Sequence, residues 1–266
     1  MMKALRSLLF VPAEDSRLAK IGNTNADAHI IDLEDSIAQK DKDLALERTV
    51  RFLGNCGLSN LFVRINRSRY KIELDALKQF SVGFMLPKIE SESDYGDAEE
   101  ILLEHRAIAL IESAPALINS NRIAAIPWVT AVAFGAEDFT AATNISNDTE
   151  SLFVPKSMLA LAAKANHKKV YDTPCFRVHD EDALSSELQQ AIKLGYDGKL
   201  AIHPSQTETI NRAFRLIDSD YIRYVIDVYE SSGNAVCVID GRVYEKLHID
   251  RLRNVLAIEQ ESAERG

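Results

Sequence analysis

The stretch "HIIDLEDSI", residues 29–37, joins a short apolar run to three acids, Asp32, Glu34 and Asp35. The apolar part does not alternate with polar residues, which is typical of a parallel strand that is buried on both faces. We therefore predict a buried strand over residues 28–34. Its acidic end needs an explanation, because charge is costly at the end of a segment that lies inside a protein.

Further apolar runs of this kind recur along the chain, with amphipathic segments between them. The predicted strands cover residues 5–12, 28–34, 61–66, 82–88, 107–113, 129–135, 168–174 and 198–204. Helices are predicted over residues 41–54, which close on a glycine, and 91–105, which open with serines and acids. Alternating strands and helices in this number predict an α/β fold, a (β/α)8 TIM barrel. A doubly wound open sheet is the alternative, although no glycine-rich dinucleotide fingerprint follows any strand.

The expected domain organisation places the catalytic barrel in residues 1–215. Residues 216–266 read mainly as helices and are expected to form a C-terminal helical extension. Helices beyond a barrel often mediate assembly, so this extension is expected to pack on the barrel or on a neighbouring subunit.

The composition narrows the functional class. A net charge of -9 and a pI near 5.2 argue against binding to nucleic acid or to an anionic membrane. No apolar run approaches the roughly 20 residues that a membrane helix needs. The three cysteines, Cys56, Cys175 and Cys237, show no metal-type spacing and are expected to be reduced thiols in a cytoplasmic protein.

Polar side chains gather at the C-terminal ends of the predicted strands, which form the active-site mouth of such a barrel. The residues at these ends are Asp32, Glu34, Asp35, Arg64, Asn66, Pro87, Lys88, Glu112, Ser113, Glu137, Asp138, His203 and Gln206. Several carboxylates around one mouth repel each other, which raises some pKa values or demands a cation. A hard cation such as Mg²⁺ suits oxygen ligands and commonly takes one or two protein carboxylates.

Glu112 and Asp138 are the best pair of metal ligands, because they follow neighbouring strands. Arg64 is expected to balance the remaining charge and to hold a substrate carboxylate bidentately.

Each residue also has a plain structural interpretation. A single acid at a strand end is often a helix cap, Arg64 could pair with Glu34, and Lys88 could be a surface lysine. His203 could be a structural histidine, and Asp32 could fix a loop. The joint placement of these groups at one barrel end favours the functional interpretation.

The same residues carry a family resemblance. "RSLLFVP", "IIDLEDSI", "VRIN", "MLPKIES", "ALIESAPAL", "AFGAEDF" and "LGYDGKLAIHPSQTETIN" follow one another from residue 6 to about 214. This series resembles the citrate lyase β-subunit-like branch of the HpcH/HpaI aldolases. The resemblance implies a (β/α)8 barrel that assembles as a homotrimer or hexamer, with Mg²⁺, or Mn²⁺ as the alternative, on Glu112 and Asp138.

The resemblance also implies a substrate and a set of roles. Arg64 would bind a 2-oxo acid, and the thioester partner would be carried by coenzyme A or by an acyl carrier protein. The expected acid or base is Glu34 or Asp35, ahead of Asp32. Further substrate-binding positions are expected at Lys88, Gly135, Ala136 and Glu137.

Some positions depart from the family pattern. Relatives usually carry "K-x-x-A-R" after "DLED", whereas "KDLALER" keeps Lys42 and Ala45 but places Leu46 at the arginine position, with Arg48 two residues on. Lys156 lies near the position of a usual arginine.

The expected reaction is reversible carbon–carbon cleavage of a 3-hydroxyacyl thioester of the malyl, citramalyl or citryl type. The products would be a 2-oxo acid and acetyl-CoA or a related thioester. The alternatives are a citryl-carrier-protein lyase subunit, a free 2-oxo-acid aldolase, a thioesterase and a non-catalytic ligand-binding barrel.

Overall fold

The computed structural model describes residues 5–214 and 219–263. The chain divides into two compact units, one of them Leu5–Ala213 and the other comprising Met1–Ala4 and Phe214–Gly266. The domain boundary expected between residues 215 and 216 lies outside the described residues.

The first unit is a closed barrel of eight parallel strands in sequential order, closed by pairing of the first strand with the eighth. The strands are β1 (Ser7–Pro12), β2 (Ala28–Asp32), β3 (Leu61–Arg64), β4 (Gly83–Leu86), β5 (Ala107–Ile111), β6 (Val129–Phe134), β7 (Lys169–Asp172) and β8 (Gly198–Ala201). Every predicted strand contains one of these. The TIM barrel prediction is confirmed, and the open sheet is excluded because the sheet has no free edge.

Helices follow the strands around the barrel. They are α1 (Asp15–Leu18), α2 (Lys42–Gly54), α3 (Tyr70–Leu77), α4 (Glu99–Glu104), α5 (Ala114–Ile118), α6 (Ser120–Ala125), α7 (Ala136–Thr143), α8 (Phe153–Ala165), α9 (Glu181–Lys193) and α10 (Pro204–Ala213). Helix α2 agrees closely with the prediction. Helix α4 begins later than predicted, because Tyr95 takes a left-handed backbone (φ 62°) and Asp94 caps the preceding turn by accepting from the amides of Glu90 and Ser91.

Seven of the eight strands end earlier than predicted, and at two of these ends polar side chains take over the backbone hydrogen bonds. After β2, the carboxylate of Asp32 accepts from the amides of Glu34 (2.9 Å) and Ser36 (3.1 Å). After β5, the hydroxyl of Ser113 accepts from the amide of Ala116 and caps α5. Asp32 and Arg64 are the last residues of their strands, whereas Glu34, Asp35 and Glu112 stand in loops at the mouth.

Alternate residues of the strands fill the barrel interior. Ile30, Phe62 and Leu110 belong to this inner core, which consists of apolar side chains from all eight strands. Asp32, Arg64 and Glu112 each lie two residues beyond one of them. Since side chains two residues apart along a strand share a face, the barrel directs these three charged groups into its C-terminal mouth.

The second unit contains α11 (Ser219–Ser232), β9 (Val236–Ile239), β10 (Arg242–Glu245) and α12 (Lys246–Ala263). The two strands form an antiparallel hairpin between two helices, in a segment that was predicted to be mainly helical. Its core includes Val225, Ile239, Tyr244 and Ile249. Among the helices of the described part of the chain, none combines the length and the apolar character needed to cross a membrane.

Candidate active site

Arg64 lies at the centre of the charged mouth. Its Nε and Nη2 donate to the two carboxylate oxygens of Asp32 at 2.8 and 2.7 Å, which is the bidentate geometry that arginine and a carboxylate favour. The guanidinium also stands 4.9 Å from the centroid of the Phe10 ring. The side chains of Arg64 and Asp32 are only 12% and 3% exposed, so the pair is shielded from water. Although burial opposes ionisation, Arg64 holds the pKa of Asp32 below its usual value.

Asp32 organises the acidic loop as well as the arginine. Each of its oxygens receives one Arg64 donor and one loop amide. These contacts favour the interpretation that Asp32 fixes the loop over a role for Asp32 in proton transfer. The Nζ of Lys42 donates to the carbonyls of Leu33 (2.8 Å) and Glu34 from within the protein, and Asn66 Nδ2 also donates to Leu33 O. These contacts fix the backbone of the loop.

Glu34 is a buried acid between two cations. Its Oε2 lies 3.2 Å from Arg64 Nη1 and its Oε1 lies 3.5 Å from Lys88 Nζ. Burial raises the pKa of Glu34 to about 7, against the opposing attraction of Arg64. A carboxyl group with a pKa near neutrality can both take up and release a proton at physiological pH. Asp35 differs, because its side chain is 59% exposed.

Glu112 is held by the backbone of Lys88. The Lys88 amide donates to Glu112 Oε1 at 2.7 Å, and Lys88 itself has a left-handed backbone with φ of 54°. Burial, with a further contribution from Glu34, raises the pKa of Glu112 to about 8. Gly135 packs directly behind this carboxylate, since a Cβ at Gly135 would lie 2.8 Å from Glu112 Cβ and 3.2 Å from its Oε2. The site thus fixes the orientation of the Glu112 carboxyl group.

Asp138 brings a second carboxylate to Glu112. It lies in the first turn of α7 with an exposed side chain, and its charge adds to the raised pKa of Glu112. Within residues 5–214 and 219–263, no group of three or more His, Cys, Asp or Glu side chains is arranged to enclose a metal ion. Glu112, whose pKa is raised, and the neighbouring carboxylate of Asp138 suit a hard cation that completes its shell with water or substrate oxygens.

Hydrogen bonds within the protein hold the "GAED" segment, residues 135–138, in place without a ligand. The Gly135 amide donates to Ile111 O (2.9 Å), and the Ala136 amide donates to Thr173 Oγ1 (3.2 Å). Glu137 is exposed, and its Oε1 accepts from Asn147 Nδ2 at 2.6 Å. The three positions expected to bind substrate therefore lie at the mouth, where Gly135 has the clearest role as the support of Glu112.

Other polar strand ends serve the fold. The Nδ1 of His203 pairs with Ser205 Oγ at 2.8 Å, and His203 is exposed. Gln206 is buried, accepts from the amide of Ile202 and donates to Cys175 O. Arg48, two residues beyond the position of the expected arginine, pairs with Asp15 at 3.4 Å.

The mouth residues form one group, which we name the mouth cluster. It comprises Asp32, Glu34, Asp35, Arg64, Lys88, Glu112 and Asp138. Five carboxylates thus face two cations. Full ionisation would leave the cluster strongly negative, which is the condition that a bound cation relieves.

A second buried group of charged side chains lies on the outer face of the sheet and was not predicted from the sequence. This outer cluster comprises Lys156, Asp172, Glu187 and Lys199. Asp172 Oδ1 and Oδ2 lie 2.9 Å from Lys156 Nζ and 2.7 Å from Lys199 Nζ, and Lys199 Nζ lies 2.9 Å from Glu187 Oε2. A lysine inside the apolar run "GKLAI" was the available signal, because a charge inside a buried strand requires a partner.

Comparison with known proteins identifies a matching protein family and several relatives of the chain. Residues 6–204 match the family described as HpcH/HpaI aldolase/citrate lyase. The chain is 29% identical to a (3S)-malyl-CoA thioesterase of Cereibacter sphaeroides, over 95% of this chain and 93% of that protein. It is 27% identical to the mitochondrial citramalyl-CoA lyase of Mus musculus, over 79% of this chain and 71% of that protein.

A solved structure shows the same architecture. The citrate lyase β subunit of M. tuberculosis, complexed with oxaloacetate and magnesium, superposes with a TM-score of 0.71 and 28% identity, over 80% of this chain and 97% of that chain. The family match covers most of the chain and includes every residue of the mouth cluster. This protein belongs to the HpcH/HpaI aldolase/citrate lyase family.

Proposed function

We propose that the protein is a Mg²⁺-dependent carbon–carbon lyase that cleaves a 3-hydroxyacyl thioester into a 2-oxo acid and acetyl-CoA or a related thioester. The observation that carries this proposal is the mouth cluster, in which a buried, oriented Glu112 stands beside Asp138 and shares the mouth with Arg64. Carboxylates for a hard cation and an arginine for a carboxylate are the two recognition elements that a 2-oxo acid requires.

The names of relatives support the substrate class. A thioesterase and a lyase that act on malyl-CoA and citramalyl-CoA are similar over most of this chain. The M. tuberculosis citrate lyase β subunit holds oxaloacetate, a 2-oxo acid, together with magnesium. These similarities favour a malyl, citramalyl or citryl group on coenzyme A, with an acyl carrier protein as the alternative carrier.

Glu112 and Asp138 would hold the cation, with Mg²⁺ as the first choice and Mn²⁺ as the alternative. Such a cation polarises the oxygens of a hydroxy acid or a 2-oxo acid and lowers the pKa of the hydroxyl group. The Lys88 amide and Gly135 keep the Glu112 carboxylate in place for this purpose.

Arg64 would orient the carboxylate of the substrate and stabilise negative charge on the neighbouring oxygen. Its bidentate pairing with Asp32 fixes the plane of the guanidinium, so the direction of its remaining donors is set in advance. A preoriented donor is effective because little reorganisation is needed during the reaction.

Glu34 would move the proton. Its Oε2 is buried and makes no hydrogen bond among the described residues, and the raised pKa of Glu34 lies near neutrality. In cleavage, this oxygen would accept the proton of the 3-hydroxyl group as the carbon–carbon bond breaks. The electrons of that bond pass to the thioester fragment as an enolate, which takes up a proton to give the product thioester.

Lys88, Gly135, Ala136 and Glu137 complete the proposed substrate-binding set. The Lys88 ammonium is half exposed at the mouth, where it can meet a second anionic group of the substrate. We further propose that the protein is a cytoplasmic homo-oligomer, a trimer or hexamer.

A direct assay tests the proposal. The purified protein is incubated with malyl-, citramalyl- and citryl-CoA in Mg²⁺ or in EDTA, and the released 2-oxo acid and free thiol are measured separately. We expect Mg²⁺-dependent release of 2-oxo acid with one of the three, without stoichiometric thiol, and loss of this release in Glu112→Ala and Arg64→Ala. Full activity in both variants would refute the proposed site.

Thioester hydrolysis is the second candidate, because a thioesterase is similar over 95% of this chain. It would release free thiol and a hydroxy acid instead of a 2-oxo acid. Release of neither product from any of the three thioesters would favour a carrier-protein substrate, a free 2-oxo-acid aldolase or a non-catalytic barrel.

A further inference from the structure

Three carboxylates surround Arg64, and they differ sharply in exposure. The side chains of Asp32 and Glu34 are 3% and 8% exposed, whereas that of Asp35 is 59% exposed. Asp35 Oδ2 nevertheless lies 3.0 Å from Arg64 Nη1 and accepts a hydrogen bond from it. Asp35 is thus the one carboxylate of the three that can turn into solvent without burying or stranding a charge.

The surrounding contacts allow the Asp35 side chain to move away from Arg64 while its neighbours stay in place. Asp32 is committed through both of its oxygens, to Arg64 and to two loop amides. The loop backbone is held by Lys42 and Asn66 through the carbonyls of Leu33 and Glu34. A rotation of the Asp35 side chain therefore frees Arg64 without moving the loop.

The donors that Asp35 covers are those that a substrate needs. Asp32 takes Nε and one hydrogen of Nη2. The outer edge of the guanidinium, formed by Nη1 and the second hydrogen of Nη2, is the edge on which another carboxylate can bind with two hydrogen bonds. Asp35 and, at 3.2 Å, Glu34 contact this edge through Nη1.

We propose that Asp35 is a displaceable carboxylate that covers the outer edge of Arg64 and is exchanged for the carboxylate of the 2-oxo acid. This inference rests on the proposed function. Asp35 sets the affinity for the acid and does not transfer the proton, so it is a positioning residue. The exchange is nearly balanced, because one carboxylate leaves the arginine as another arrives.

Binding measurements test the proposal. The dissociation constants of pyruvate and glyoxylate are measured by isothermal titration calorimetry in Mg²⁺ for the wild type, Asp35→Asn and Asp35→Ser. Glu47→Gln, which removes one exposed charge from α2, is the matched control. Because an exposed ion pair is worth little, we expect both Asp35 variants to bind about 2- to 5-fold more tightly than the wild type. The gain should shrink in high salt, which screens the competing charge.

The outcomes separate this inference from the proposed function. Weaker or unchanged binding by both Asp35 variants would overturn it, as would a 100-fold fall in kcat with pyruvate affinity unaltered, which would assign the proton transfer to Asp35. A wild type that binds neither of these acids nor oxaloacetate in Mg²⁺ would remove the proposed function and this inference together. An equal gain in Glu47→Gln would trace the effect to overall charge and would also overturn it.

Discussion

The mouth cluster and the outer cluster are both built from charged side chains of the same barrel, yet they are balanced differently. In the outer cluster two carboxylates meet two lysines, and Asp172 and Lys199 have no exposed side-chain surface. In the mouth cluster five carboxylates meet two cations. The charges of the outer cluster balance one another. The charges of the mouth cluster are balanced only when a cation binds to it.

The paired acids Asp32 and Asp172 have lowered pKa values, whereas the mouth cluster also holds two acids whose pKa values are raised. Although full burial opposes it, Lys156 and Lys199 hold the pKa of Asp172 below its usual value. Burial raises the pKa of Glu34 to about 7 and of Glu112 to about 8. Raised carboxyl pKa values in a cleft indicate a functional site, whereas a neutral buried network is more often structural. The balance of charge therefore distinguishes the two clusters better than burial does.

The largest expected effect is on turnover in the mouth cluster. Glu112→Gln keeps the shape of the side chain and an acceptor for the Lys88 amide, but removes the charge that a cation requires. We expect kcat/KM for the active thioester to fall by about 10³-fold, as when an electrostatic stabiliser of the transition state is lost. Glu99→Gln on α4, an exposed acid, should retain wild-type activity.

The same variant should not be less stable than the wild type, because it removes one of several repelling buried carboxylates. Urea unfolding in EDTA checks this expectation. A marked loss of stability in Glu112→Gln would remove the distinction between the two clusters.

In the outer cluster the large effect is on stability. Asp172→Asn leaves the ammonium groups of Lys156 and Lys199 buried without their shared carboxylate. We expect the free energy of unfolding to fall by about 3–5 kcal/mol, as when one partner of a buried ion pair is removed. Urea unfolding measures the loss, and Asp182→Asn, an exposed acid in the first turn of α9, should cost less than about 1 kcal/mol. Equal stabilities of the two variants would show that the outer cluster is dispensable.

A smaller effect on turnover is expected from Gly135→Ala. The added methyl group would press on Glu112 Cβ at 2.8 Å and on Oε2 at 3.2 Å, so the carboxylate must shift. A displacement of about 1 Å can cost up to about 100-fold in rate, and we expect kcat/KM to fall by about 10- to 100-fold. Gly22→Ala is the control, because a Cβ at Gly22 meets nothing within 4 Å. Wild-type kcat/KM in Gly135→Ala would show that the position of Glu112 tolerates displacement.

The smallest expected effect is a pH dependence of stability that arises from the mouth cluster. The pKa values of Glu34 and Glu112, about 7 and about 8, exceed the ordinary value of 4.5, so the metal-free native state binds more protons than the unfolded state between pH 6.5 and 8. Stability must therefore fall as the pH rises through this window. His29 gives a smaller opposing slope that is confined to the lower end of this window, because burial lowers its pKa to about 4 and its unfolded-state imidazole is already half neutral at pH 6.5.

The outer cluster adds no slope in this window. The pKa of Asp172 is lowered from 3.8 and that of Lys199 is raised from 10.5, so both groups stay charged in the native and the unfolded states. Calorimetric Tm values in EDTA at pH 6.5 and pH 8 measure the effect. We expect a lower Tm at pH 8 than at pH 6.5. Mg²⁺ should abolish this difference in Tm, and the Glu112→Gln variant should show a smaller difference than the wild type. A Tm that rises with pH in the metal-free wild type would contradict the raised pKa values.

Most of the fold could be predicted from the sequence, because the order of apolar runs and amphipathic segments indicates the strands and helices. All eight strands begin within two residues of their predicted starts, since buried parallel strands are continuous apolar runs between polar segments. Their polar ends placed Arg64, Glu112 and the three acids after β2 at one mouth, because closure of the barrel brings those ends together.

The partners of these residues could not be predicted. That Arg64 pairs bidentately with Asp32, while Glu34 lies alongside it, depends on side-chain length and rotamer. Lys42 keeps the lysine of the family pattern after "DLED", but that pattern alone does not reveal that it is buried against carbonyl groups. The outer cluster was missed because Asp172 and Lys199 face away from the barrel axis, and strand ends alone do not reveal that face.

The neutrality of the outer cluster also has an evolutionary consequence. Lys199 contributes to two ion pairs and Asp172 to two, so reversing any one charge strands another inside the protein. A lineage can pass from this network to an apolar one only through intermediates that fold poorly, or by several changes at once. We expect Lys156, Asp172, Glu187 and Lys199 to be replaced together in related sequences, so their covariation should mark this face of the barrel even where the identity of each residue has been lost.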